Sequence, residues 1–299
     1  MGYPQEVGIH LPNRKPLWWS CSLSFVVLAL VLMSATTARS GKLTGPDLIV
    51  RADVLSHQWV VRDENLGSAT CSVIEGEVTP GVRRLIRFTV MTPNVGDTDI
   101  ALGDPNAHVA AGDGLYEFAS CHQHYHFRHY AQYELIDPAT GFVWRAAKRG
   151  FCMLDTDPNP AYFGQPPRSP RYRNCGSRTV AGNQGISAGW ADTYRFFLGG
   201  QYFVLDGGDG QPEVPPGNYV IRITVNPGFV PQPGESIAFA SPDPINRGVY
   251  HQLFESNYQN NVGEFAVTIP DHPGKGGFGP MAGSKINSID NDEHDPPSK

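Results

Sequence analysis

The stretch "SCHQHYHFRHY", residues 120–130, places His122, His124 and His126 at strict two-residue spacing directly after Cys121, with His129 three positions further on. Imidazole can serve as a metal ligand or as a general base near neutral pH. In an extended strand alternate side chains share a face, so three such histidines point the same way, with Cα atoms about 6.6 Å apart at about 3.3 Å rise per residue. A kink or bulge lets their rings converge on one ion at about 2.0–2.1 Å. Zinc, copper, iron and nickel all accept imidazole, so the spacing does not name the metal. Three protein ligands leave a coordination position open, which favours chemistry over a purely structural site. A half-exposed strand that merely happens to be histidine-rich is the competing reading, and the period-two repetition argues against it. On the same alternation His129 falls on the opposite face, and Glu134 is the one nearby carboxylate on the histidine face.

The elements that would hold these residues are strands. "PPGNYVIRITVNPG" is the clearest: Tyr219, Ile221, Ile223 and Val225 make an apolar face, and Val220, Arg222 and Thr224 a more polar one. "VRRLIRFTVMTPNVGDTDIALG" and "NNVGEFAVTIP" are further strand patterns, and "GKLTGPDLIVRADVL" reads as a linker running into a first strand. No segment shows sustained helical periodicity. The 33 Gly and 26 Pro supply turns between short strands. The expected fold is all-β, an immunoglobulin-like β-sandwich core over residues 46–270 with long loop-rich insertions. Residues 155–190 carry no strand pattern and read as one long irregular connection.

Residues 1–38 read as a signal peptide: Arg14 and Lys15 precede an apolar run from Leu23 to Met33, and "TTA" offers small residues for cleavage. An uncleaved membrane anchor is the other reading, and either one exports the rest of the chain to an extracellular or periplasmic space. Residues 39–45 form a linker, and the polar, Gly- and Pro-rich residues 271–299 are expected to be a disordered tail. Export predicts two disulfides among the even set Cys71, Cys121, Cys152 and Cys175, with Cys21 left in the targeting segment. Four cysteines allow three connectivities. The net charge of −6 gives no footprint for nucleic acid, and a membrane enters only through the N-terminal segment if it is uncleaved.

"CHQHYH" followed by "HYAQYELID" resembles the copper-binding segment of the lysyl oxidase family. "AAKRGFCMLDT" resembles that family's cofactor-lysine segment and "YRNCGSRTVAGNQGISAGWADTY" its cofactor-tyrosine segment; "GPDLIV", "PPGNYVIRITVNPGFV" and "ESNYQNNVGEF" are similar to its opening and its last strands. The likeness runs in the family's order from about Gly45 to Glu264, and the combined signal is far more specific than the histidine spacing alone. The resemblance implies that His122, His124 and His126 bind copper. It implies that Lys148 crosslinks to Tyr194, giving lysine tyrosylquinone by self-processing with copper and dioxygen. The enzyme would then oxidise a primary amine or a protein lysine to an aldehyde, releasing ammonia and hydrogen peroxide. Asp192, two residues before Tyr194, is the candidate base, with a hydrogen-bonded turn Asp as its plainer reading. The resemblance also implies the pairings Cys71–Cys121 and Cys152–Cys175.

The chain departs from the animal pattern at Trp190 and Ala191, where animal members carry a cysteine, and in "IAFASPDPINRGVYHQLF", so substrate choice stays open. Two other readings compete: a metal-binding β-sandwich without redox activity, such as a zinc hydrolase or copper carrier, and an adhesion-type sandwich with structural histidines. Lys148 and Tyr194 in their expected contexts favour the oxidase.

Overall fold

The computed structural model describes residues 44–148, 150–159, 169–233, 237 and 239–285. The expected signal peptide and the last fourteen residues, 286–299, lie outside them. Among the described residues there are sixteen strands and three short helices, so the all-β class holds. Every strand pairing is antiparallel, and the strands are spread over sheets of two to four members. These pairings do not by themselves establish the immunoglobulin-like arrangement.

The largest sheet runs Val262–Ile269, Gly217–Val225, Ala131–Ile136, Val143–Arg145. Its second strand follows the expected alternation: Tyr219, Ile221, Ile223 and Val225 are buried, and Val220, Arg222 and Thr224 are half-buried. On the wetter face the register lines up Glu264, Arg222, Glu134 and Arg145 across all four strands, a row of alternating charge. Opposite charges on neighbouring strands stabilise the pairing modestly. Two three-stranded sheets complete the frame. One holds Trp59–Leu66, Gly81–Phe88 and Tyr202–Val204; the other holds Val90–Pro93, Trp190–Tyr194 and Asp157–Pro158.

These sheets share one apolar core, within which an aromatic column matters most for the site. Phe88 stacks on Phe203 at 5.1 Å and meets Tyr133 edge-on at 5.5 Å. Phe151 touches Tyr130, Tyr133 and Tyr194 edge-to-face at 5.3, 5.7 and 5.2 Å. Edge-to-face rings of this kind each add about 0.5–1.5 kcal/mol beyond area burial.

Three sequence expectations are corrected. The stretch expected to enter a first strand forms the helix Ala52–His57 instead, and the strand begins at Trp59. The run from Cys121 to Leu135 is not one strand. Gln123 and His129 adopt φ of 59° and 60°, left-handed values that break an extended ladder, so it splits into His124–Phe127 and Ala131–Ile136. The connection 155–190 is not wholly irregular, since it contributes the short strands Asp157–Pro158 and Gln184–Ile186. Beyond residue 270 the chain stays engaged as far as Ser284: Val61 and Phe278 exchange two backbone hydrogen bonds of 2.8 Å.

Candidate active site

The histidine segment is fixed from both sides. The hairpin Tyr116–Ala119 with His124–Phe127 sets the directions of His124 and His126, and the Cys71–Cys121 disulfide anchors its approach. Between them the left-handed Gln123, whose N–H donates to the Ala119 carbonyl at 2.8 Å, turns the chain back on itself. That turn brings His122 to the other two. The ring centroids form a triangle with sides of 5.0 Å (His124–His126), 5.6 Å (His122–His126) and 5.7 Å (His122–His124). Three imidazoles bound through nitrogen at about 2.0–2.1 Å in tetrahedral directions would set their centroids about 5.2 Å apart. Ring spacing and donor chemistry thus fit a three-imidazole metal site. Among the described residues no set of three or more His, Cys, Asp or Glu is already closed on a metal position. Glu134 does not join the cluster and is held by Arg145 at 2.7 Å.

The lysine segment passes directly over the histidines. A Cβ on Gly150 would sit 2.1 Å from His126 Nδ1, so the backbone at 150 lies flat against that ring. Phe127 N–H donates to the Phe151 carbonyl at 2.6 Å and locks the two segments together. Gly200, at φ 66°, approaches Lys148 from another side, its would-be Cβ 3.3 Å from Lys148 Cα.

Lys148 is buried, and its Nζ lies 4.7 Å from the centroid of the Tyr194 ring and 5.2 Å from that of Phe151. Tyr194 is wholly buried and donates its hydroxyl to the Cys152 carbonyl at 2.9 Å. Cys152 is bonded to Cys175, as the resemblance implied, and so is Cys71 to Cys121. Asp192 and Tyr194 are alternate residues of the strand Trp190–Tyr194 and share a face. Burial pushes the Asp192 carboxyl well above its usual range, while the Tyr194 hydroxyl and the Lys148 charge pull it partly back. Neither carboxylate oxygen makes a hydrogen bond of normal geometry, so those contacts are electrostatic proximity rather than formed bonds.

A cavity of about 550 Å³ opens onto Lys148, lined also by Glu77, His129, Tyr133 and Asp209. His129 therefore does not turn away from the site as strand alternation suggested. Its left-handed backbone places it at the cavity wall, where its ring faces Phe229 at 6.5 Å. Sequence reasoning missed Glu75, Glu77 and Gly150; the glycine two residues after Lys148 was the one local signal of a close approach.

The family model for lysyl oxidase matches residues 50–235. Lysyl oxidase homolog 2 of Gallus gallus is 25% identical over 229 residues, covering 73% of this chain and 24% of that protein. Lysyl oxidase homolog 1 of Homo sapiens is 31% identical over 197 residues, covering 62% of this chain and 30% of that protein. Lysyl oxidase homolog 3B of Danio rerio is 27% identical over 196 residues, covering 62% and 21% respectively. The chain thus matches under a third of the length of each of these relatives. Among the described residues no helix is long and apolar enough to cross a membrane.

Proposed function

This chain belongs to the lysyl oxidase family, and on that basis we propose that it is an exported copper- and quinone-dependent amine oxidase, converting primary amines or protein lysines to aldehydes with dioxygen as acceptor. The observation that carries this reading is the position of Lys148 Nζ, 4.7 Å from the Tyr194 ring, in a segment packed against His126. His122, His124 and His126 would hold the copper. Copper with dioxygen would supply the oxidation that joins Lys148 to Tyr194 as lysine tyrosylquinone, and that group would supply the electrophilic carbonyl and two-electron sink for amine oxidation.

The chain's own groups prepare that chemistry. The Cys152 carbonyl fixes the Tyr194 hydroxyl, and Phe151 packs edge-on against the ring, so the ring presents a defined face to Lys148. Exclusion of water from Tyr194 strengthens every charge interaction around it. The cavity beside Lys148 gives an amine its route, and the Glu77 and Asp209 carboxylates on its wall suit a cationic substrate. Asp192, on the same strand face as Tyr194 and with its carboxyl pushed well above the usual range by burial, would be the proton acceptor.

Lys148→Arg and Tyr194→Phe test the reading. Each should keep copper, stop reacting with phenylhydrazine and make no peroxide from primary amines. Amine oxidation at the parent rate by Lys148→Arg would overturn it and leave a metal-binding β protein without redox activity, such as a zinc hydrolase or copper carrier.

A further inference from the structure

The segment 71–77 places Glu77 on the cavity wall, and at Glu75 it also reaches the histidine cluster. Cys71 opens the short helix Cys71–Ile74 and is bonded to Cys121, with Cα atoms 5.4 Å apart. Glu75 follows that helix, and its own N–H donates to the Cys71 carbonyl at 2.8 Å. Its carboxylate then makes two contacts with the start of the histidine segment. Oε1 accepts the Cys121 N–H at 3.1 Å, and Oε2 lies 3.4 Å from His122 Nδ1, a close approach short of hydrogen-bond geometry that a small ring rotation would complete. The His122 side chain is 5% exposed and that of Glu75 20%, so the contact is largely shielded from water. His122 is also the histidine that the hairpin does not orient, because it precedes the left-handed Gln123. His122, which no strand directs, is thus met by a carboxylate.

We infer that Glu75 is a positioning residue for the metal site: its carboxylate takes the Nδ1–H of His122 and leaves Nε2 to present its lone pair toward His124 and His126. A carboxylate on the far nitrogen fixes the tautomer and ring orientation and makes the ligand nitrogen more basic. The Cys71–Cys121 disulfide holds the carboxylate in register by tying the helix to the residue before His122. Glu117, opposite His126 in the hairpin, is exposed and lies 3.9 Å from Arg128, so it serves as a nearby carboxylate that leaves His122 untouched.

The inference rests on the copper reading, and the test separates the two. Copper(II) affinity is measured by chelator competition on the full chain with disulfides intact, alongside the paramagnetic resonance spectrum of the bound ion. Glu75→Gln should bind copper roughly 10–100-fold more weakly than the parent, the usual effect of losing such an outer contact, with a shifted spectrum and an unchanged thermal midpoint. Glu117→Gln should match the parent. A Glu75→Gln protein within twofold of the parent and with the same spectrum overturns the inference, as does an equal loss in Glu117→Gln. A second measurement needs neither variant nor metal. Nitrogen-15 shifts of the copper-free parent at pH 8 should show His122 protonated on Nδ1; protonation on Nε2 overturns the inference even if every variant fails to fold. A parent that binds no copper at all sinks the earlier reading instead, and the tautomer still decides the Glu75 contact.

Discussion

Lys148 reaches over the Tyr194 ring, its Nζ 4.7 Å from the ring centroid, while the Tyr194 hydroxyl is held by the carbonyl of Cys152. The same short segment thus provides both the amine and the clamp on its partner. Cys152 is in turn bonded to Cys175, and Gly150 lies against His126. Lys148, Gly150 and Cys152 therefore bring the lysine, the tyrosine and His126 into one neighbourhood.

The histidine triangle gives the first prediction. His124→Ala should lose more copper affinity than the roughly 10–100-fold typical of outer-shell changes, and should form no quinone. His129→Ala should keep its copper, because His129 lies at the cavity wall rather than in the triangle, but should turn over amines more slowly. Metal analysis and peroxide release on the two proteins decide it; full copper and activity in His124→Ala would contradict the assignment.

Removing the Cys152–Cys175 bridge as a double Cys→Ala variant should cost about 2–5 kcal/mol of stability. It should also slow crosslink formation, since the Cys152 carbonyl positions Tyr194. Urea unfolding and the rate of quinone absorbance after copper addition give the two readouts. An unchanged rate in a destabilised protein would show that the bridge only stabilises.

Asp192 is proposed as the base, so Asp192→Asn should retain copper and the crosslink but lose on the order of 100-fold or more in amine turnover. The acidic limb of the pH–rate profile should vanish with it. A variant with parental turnover and profile would return Asp192 to a packing role.

Glu255 is a buried carboxyl away from the chemistry. Burial pushes it up to about 7, against N–H donors on Asn226, Leu48 and Asn261. Because the folded value lies above the unfolded one of 4.5, the folded chain binds more protons between them. Stability from this group is full below about pH 4.5 and is lost as pH rises through about 7. The loss is on the order of 3 kcal/mol at about 1.4 kcal/mol per unit. Urea unfolding at pH 5 and pH 8 should show that drop in the parent and a smaller one in Glu255→Gln; equal drops would remove Glu255 as the cause.

The strand Gly217–Val225 was legible because one face is buried and the other meets solvent, which imposes a period of two on the sequence. The three histidines stood out by residue type and spacing, although only His124 and His126 lie in a strand. What brings His122 and His129 to their places is a pair of left-handed torsions, at Gln123 and His129, and neither residue type announces one. Glu75 and Glu77 were not legible because their contacts with His122 and the Lys148 cavity come from chain closure, through Cys71–Cys121, and not from local pattern. The helix Ala52–His57 is too short for helical periodicity to separate it from a strand.

The central claim is that Lys148 and Tyr194 become one covalent unit, and peptide mass spectrometry tests it most directly. The parent protein is loaded with copper, exposed to air, digested and compared with metal-free protein. The account predicts a crosslinked pair of peptides joining Lys148 to Tyr194, present only after copper and oxygen and absent in His124→Ala. Two separate, unmodified peptides from copper-loaded, air-exposed protein would contradict it.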